Sequence, residues 1–291
     1  MDQSDEYVNK GSQMQQRDTL DVLQEFSDEL DRFHGIVLDI GSGPGKVTKM
    51  MLMPRLKNVN KIIGADISQK MVCYAEKNYA HDKIRYIVFN IEIVELPNDQ
   101  INKYEHIVSF YALHWTYDIQ LAFTNIYKML KPQGKGLFSF LGFHSGFRAY
   151  LKLKDCPVYG PYLYDAHRYI PYFQRIEDEN PEKTLQNMLQ QIGFEVLHLS
   201  KRKKSYKFNK QSLKNHACAV NPFLTRLPNN MRNDFIEKLV DEILNETTIK
   251  DKTINNENKD KLNLSYYILV VYVQKPDVDI SHENVKCIKN F

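Results

Sequence analysis

The spacing of apolar and polar positions changes several times along the chain, and each change marks an element. Leu20, Leu23, Phe26 and Leu30 recur near helical spacing and predict an amphipathic helix over about 12–32. GIVLDIG (35–41) is a continuous apolar run closed by glycines, the pattern of a strand buried on both faces. KVTKMMLM (46–53) predicts a helix that stops at Pro54, and KIIGADI (61–67) a second strand. Ser68 can cap the helix QKMVCYAEKNYA after it. IRYIVFNI (84–91), HIVSF (106–110) and GKGLFSFLGF (134–143) read as three more strands. A helix over about 118–130 precedes the last of them and ends before Lys131-Pro132. Strands alternating with helices argue βαβ units and a parallel sheet.

The pattern then loses its period. Residues 144–180 are rich in aromatics, with prolines at 157, 161 and 171, and read as a folded cap without a regular element. TLQNMLQQIGF (184–194) returns to helix, with Gly193 at its C-terminal cap. FEVLHLS and YKFN pair into one long sixth strand. Residues 210–244 read as two helices split at Pro228, residues 245–263 as a mobile loop, and LSYYILVVYVQKP (264–276) as a final strand. The expected organisation is an N-terminal helical segment (1–34) closing the site and a ligand-binding core (35–143). Cap insertions (144–183 and 209–263), the rest of the core sheet (184–208 and 264–276) and a tail (277–291) complete it.

Composition narrows this little. The chain has 291 residues, enough for one α/β core with insertions, and its net charge of +3 is too small to imply nucleic acid. Cys73, Cys156, Cys218 and Cys287 form no CxxC pair, so neither zinc nor a disulfide framework is suggested, and no metal is expected. MDQSDEYVNK has no signal-peptide character, and the longest apolar run, YYILVVYV, is too short to span a bilayer. A cytoplasmic protein with reduced thiols and no membrane insertion is the expectation.

The chemistry concentrates in VLDIGSGPGKVT (37–48), where a buried strand runs through Gly41, Gly43 and Gly45 into a helix. Gly41 and Gly43 allow a tight turn and close approach to a ligand. Asp66, ending the next strand, is placed to accept hydrogen bonds from ribose hydroxyls. Two details turn the reading away from a nicotinamide dinucleotide. The third glycine of that pattern is replaced by Lys46, and Asp39 stands ahead of the glycines. A carboxylate there attracts an ammonium and repels a pyrophosphate, which favours S-adenosylmethionine.

VLDIGSGPG, GADIS, FNI and LKPQGKG together resemble the motif series of class I S-adenosylmethionine-dependent methyltransferases. The resemblance implies a Rossmann-like α/β fold with a seven-stranded sheet, mostly parallel with the last strand antiparallel, and a helical, aromatic substrate cap. It implies that Gly41 and Gly43 pack on the methionine part of the cofactor and that Asp39 orients its amino group. Asp66 would hold the ribose, Ile67, Asn90 and Ile91 the adenine, and Phe110 would close the same pocket. Asn90 stands where many relatives carry Asp; its amide oxygen can still accept the adenine amino group.

The likeness narrows further. QMQQRDTLDVL, SFYALHW and YIPYFQRIEDENPEKTLQNMLQQIGF resemble the insect juvenile hormone acid methyltransferases over nearly the whole chain, more loosely after residue 200. That implies methyl transfer to the carboxylate of farnesoic or juvenile hormone acid. Such an acid is already ionised near neutral pH and needs no general base. Neutral donors suit it, because a full positive charge would quench the nucleophile. The family implies Gln15 and Trp115 as those donors. The residues alone leave Gln15 and Gln16 open, and the family register picks Gln15. His114, Tyr150 and Tyr172 are expected along the substrate pocket, and Arg17 either reaches the cofactor carboxylate or pairs with Asp18 or Asp39. Other readings stay open: methylation of another small apolar acid such as a fatty acid, a cofactor-binding paralogue of low activity, and a nucleic-acid enzyme using Lys201–Lys204. Nothing in the sequence decides for or against a homodimer.

Overall fold

The computed structural model describes residues 12–250 and 262–277. The expectations for the extreme N-terminus, the middle of the 245–263 stretch, Cys287 and the tail fall outside those residues. One sheet has the strand order β3-β2-β1-β4-β5-β7-β6. Its strands are β1 (His34–Ile40), β2 (Asn58–Asp66), β3 (Ile84–Val88), β4 (Tyr104–Phe110), β5 (Leu130–His144), β6 (Glu195–Phe208) and β7 (Leu262–Gln274). β7 runs antiparallel to both β5 and β6, and the other neighbours pair in parallel. The order reverses at β1 and β4, so a crevice opens beyond their C-terminal ends.

The helices are α1 (Gln13–Glu25), α2 (Ser27–Asp31), α3 (Gln69–Asn78), α4 (Ile119–Met129), α5 (Gly146–Lys154), α6 (Tyr172–Arg175), α7 (Pro181–Ile192), α8 (Lys210–Val220) and α9 (Asn229–Lys250). The continuous apolar runs of the central strands follow from cover on both faces. Val37, Val108 and Leu137 enter one core, and their neighbours Leu38, Ile107 and Phe138 enter the other. Ser68 caps α3, accepting from Met71 N, and Gly193 ends α7 at φ 114°.

Four expectations are corrected. The first helix breaks at Phe26, whose ring packs against His198 and Tyr272, so α2 is a separate short turn. Residues 48–52 coil as a π-helix and pass into a 3₁₀ turn through Pro54. Proline is tolerated there because the first residues of a turn have no bond to lose. The cap does contain regular structure, because Phe147, Tyr150 and Leu153 recur at helical spacing and bury one face of α5 before the prolines begin. Finally, α9 runs on to Lys250 and β7 starts at Leu262, both inside the stretch expected to be loop. In the cap, α5 packs against α9, and α9 against α8.

Candidate active site

The glycine loop is pinned before any ligand arrives. Gly41 N and Ser42 N both donate to the Ala65 carbonyl, at 2.7 and 3.0 Å. Gly43 N donates to Asp66 Oδ2 and Ser68 N to Asp66 Oδ1, each at 2.9 Å. One carboxylate at the end of β2 thus spans the loop and the start of α3. Gly41 and Gly43 adopt φ of 71° and 54°. A Cβ on Gly41 would lie 2.0 Å from the Ala112 Cβ, whereas one on Gly43 would meet nothing within 4 Å. The first glycine lets two loops interlock, and the second leaves open space.

That space belongs to a cleft of about 450 Å³ over the ends of β1, β2 and β4. Asp39, Gly41, Gly43, Asp66, Ile67, Asn90, Ile91 and Phe110 all line it. Asp39 is 2% exposed, and its hydrogen-bond donor is the Thr48 hydroxyl at 2.6 Å. Burial, with a smaller push from Asp66, raises its carboxyl to about 7. Among the described residues no cation pairs with this buried carboxylate, and an ammonium would complete the arrangement. Ile67, 67% exposed, offers an apolar edge for a flat ring. The Asn90 side-chain oxygen accepts from Glu92 N at 3.0 Å, and the Glu92 carboxylate accepts from Tyr117 N and Asp118 N. Beneath this loop the buried Asn125 amide donates to the Ile91 and Ile93 carbonyls. A carboxylate for a ribose, an apolar edge for a purine and a carboxylate for an ammonium therefore fit S-adenosylmethionine.

A second, inner chamber of about 60 Å³ adjoins the cleft. Gln15, Tyr111 and Trp115 line both spaces. Trp115 ends a 3₁₀ turn just past β4, half-buried, with its ring edge-on to Phe147 at 5.8 Å. Gln15 is buried on α1, and its side-chain oxygen has no hydrogen-bond partner among the described residues. His114 and Tyr150 line the inner chamber with apolar residues of α8 and α9. Burial pushes His114 down to about 3, so its ring is neutral. Tyr172 lines neither space; its ring packs on Phe173 and under Arg175.

Sequence reasoning missed what holds α1 in place. Asp18, with no exposed surface, accepts hydrogen bonds from Tyr111 Oη, Tyr266 Oη, Lys204 Nζ and Arg17. Burial pushes its carboxyl up, but these donors outweigh burial and hold it below its ordinary value. Arg17 therefore faces Asp18 and Tyr266, away from the cleft. The basic cluster on β6 is engaged by the same helix: Arg202 makes a bidentate pair with Glu25, and Lys204 bridges Asp18 and Asp21.

Comparison with known proteins gives the family and the fold. Residues 38–138 match the family described as a methyltransferase domain. The chain is 30% identical to the juvenile hormone acid O-methyltransferase of Bombyx mori, over 94% of this chain and 98% of that one. It is 29% identical to that of Drosophila melanogaster, over 91% and 89%. Among solved structures, YcgJ of Bacillus subtilis superposes with a TM-score of 0.54 at 16% identity, over 89% of this chain and 99% of that one. Phosphoethanolamine N-methyltransferase 2 of Haemonchus contortus, solved with S-adenosyl-L-methionine, superposes at 0.50 and 17% identity, over 89% and 52%. The structural likenesses establish the fold.

Proposed function

Because the chain belongs to the juvenile hormone acid O-methyltransferase family, we propose that it methylates the carboxylate of a sesquiterpenoid acid, farnesoic or juvenile hormone acid, to the methyl ester. It is an S-adenosylmethionine-dependent O-methyltransferase. When bound, S-adenosylmethionine supplies an electrophilic methyl group. Asp39 would hold its ammonium, Asp66 its ribose, and Ile67, Asn90 and Ile91 its adenine, with Gly41, Gly43 and Phe110 closing around it.

The observation that carries the substrate assignment is the sharing of Gln15, Tyr111 and Trp115 between the wide cleft, which holds Asp39 and Asp66, and the narrow apolar chamber. An acid whose carboxylate lies at that boundary meets the cofactor there. Gln15 and Trp115 each offer a neutral N–H to a carboxylate oxygen. They orient the anion and leave its charge available for attack. No proton needs removal, so no group in the chain acts as base. His114 and Tyr150 form part of the wall around the apolar tail. The tail gains affinity by leaving water, at about 25 cal/mol per Å².

The test is methyl transfer to farnesoic acid, juvenile hormone acid and saturated fatty acids, with wild type and Trp115→Phe. Terpenoid acids should be preferred, and the variant should lose roughly tenfold to a hundredfold in turnover, the worth of one hydrogen bond to a charged group. Turnover of no carboxylic acid, or an unchanged Trp115→Phe enzyme, defeats the reading. A cytoplasmic location is part of the proposal, supported by four cysteines that form no CxxC pair. Among the described residues no helix is long and apolar enough to cross a membrane.

A further inference from the structure

The inner chamber carries a polar group that the reading above does not use. His144 ends β5, is 7% exposed, and lines the chamber with Gln15, His114 and Trp115. Its Nδ1 accepts the Gly146 backbone N–H at 3.1 Å. A neutral imidazole has one acceptor nitrogen and one donor nitrogen. Since Nδ1 is the acceptor, the proton sits on Nε2. That Nε2–H is buried and has no hydrogen-bond partner among the described residues. The ring is fixed by its surroundings, standing edge-on to Phe147 at 6.0 Å and tilted against Tyr266 at 5.8 Å. Phe147 is the same ring that Trp115 packs against. His144 and Trp115 therefore flank one aromatic wall of one small chamber.

A buried donor left without an acceptor is costly, and proteins rarely keep one without a ligand or water to meet it. Burial, reinforced by His216, pushes the imidazole down to about 3, so it stays neutral at any pH at which the enzyme would work. We infer that His144 donates its Nε2–H to a carboxylate oxygen of the bound acid, as a third neutral donor beside Gln15 and Trp115. The inference rests on the carboxyl-methylating reading and extends it. With three neutral donors, one carboxylate oxygen can be held by two of them while the other is presented for attack. The arrangement selects planar anions with two equivalent oxygens over alcohols and phenols.

Two substitutions separate a role in substrate binding from a role in the fold. His144→Asn keeps an acceptor near Nδ1 for Gly146 and removes the distal donor. His144→Gln places an amide N–H near Nε2 and gives up the Gly146 contact. Both are assayed for kcat and KM on farnesoic acid and on a saturated fatty acid, with cofactor binding and unfolding temperature measured alongside. The inference expects His144→Asn to lose roughly tenfold or more in kcat/KM on both acids, with cofactor affinity unchanged. It expects His144→Gln to retain activity within about threefold. An Asn enzyme as active as wild type overturns it, as does a loss confined to one of the two acids. If the Asn variant does not fold, a folded Gln variant without activity overturns it. A wild type that methylates no carboxylic acid removes the underlying reading, an outcome visible before any variant is made.

Discussion

The Tyr111 hydroxyl donates a 2.5 Å hydrogen bond to the Asp18 carboxylate, across 93 positions of sequence. Tyr111 follows β4 and begins the turn that delivers Trp115, while Asp18 lies on α1 three residues after Gln15. This buried bond ties the helix that carries Gln15 to the turn that carries Trp115, two of the three proposed carboxylate donors.

Replacing Asp18 by Asn leaves Lys204 with Asp21 alone and removes the charge that four groups share. Removing one partner of a buried pair costs up to about 3–5 kcal/mol; here the residual pairing should limit it to roughly 2. Denaturant unfolding should show that loss. Turnover should fall more than cofactor affinity, since Asp66 and the glycine loop are bonded independently of α1. A variant with unchanged stability and turnover would show that the clamp is idle.

Asp39, raised to about 7 from an ordinary 3.8, has a defined sign. Its folded value exceeds its unfolded value, so this residue removes stability from the ligand-free protein as pH rises from about 4 to about 7. A cationic ligand needs it ionised. Calorimetric titration with S-adenosylhomocysteine should therefore weaken as pH falls below about 7. Asp39→Asn should bind weakly at every pH while its ligand-free form unfolds at a higher temperature near pH 8. Equal pH dependence in both proteins would remove Asp39 from cofactor binding.

Gly41→Ala and Gly43→Ala should differ in kind. Both need a left-handed backbone, at about 1–2 kcal/mol each. The first also drives a methyl into Ala112, so it should lower the unfolding temperature most and disturb Trp115. The second has room in the protein and should fold nearly normally while losing cofactor affinity, because the added methyl occupies the cleft.

His106, His114 and His144 are each pushed down to about 3, first of all by burial. Their folded values lie below the unfolded 6.5, so the stability they contribute is complete above that pH and declines toward pH 3. Each adds up to about 1.4 kcal/mol per pH unit, and the buried carboxyls of Asp39 and Asp66, both held above their ordinary value by burial, oppose them. Urea unfolding at about pH 7, 6 and 5 should show falling stability, and His106→Asn should shallow the slope by one group. A flat profile would contradict this assignment.

What could be read from the chain alone was local. The glycine loop, Asp66 and the caps at Ser68 and Gly193 declare themselves by residue type at short range. Asn90 and Ile91 come only with the family resemblance, carried by FNI at the end of a strand. The Asp18 cluster does neither, because its partners lie far apart in sequence and an acid on an amphipathic helix looks solvated until the fold brings Lys204 and two tyrosines over it. Tyr150 and Tyr172 look alike in an aromatic stretch; only the phase of α5 turns one toward the chamber, while Tyr172 stacks elsewhere. His144 was hidden for a similar reason. It ends a strand that sequence ended one residue earlier, and its orphaned nitrogen is a property of packing.

Trp115 is the chain's sole tryptophan, and it stands on the wall between the two spaces. Indole emission from this protein therefore comes from one address. Excitation selective for tryptophan reads the reaction centre without background from the scaffold, so cofactor arrival, acid arrival and ester departure can each be timed by light in the native chain, with no label attached.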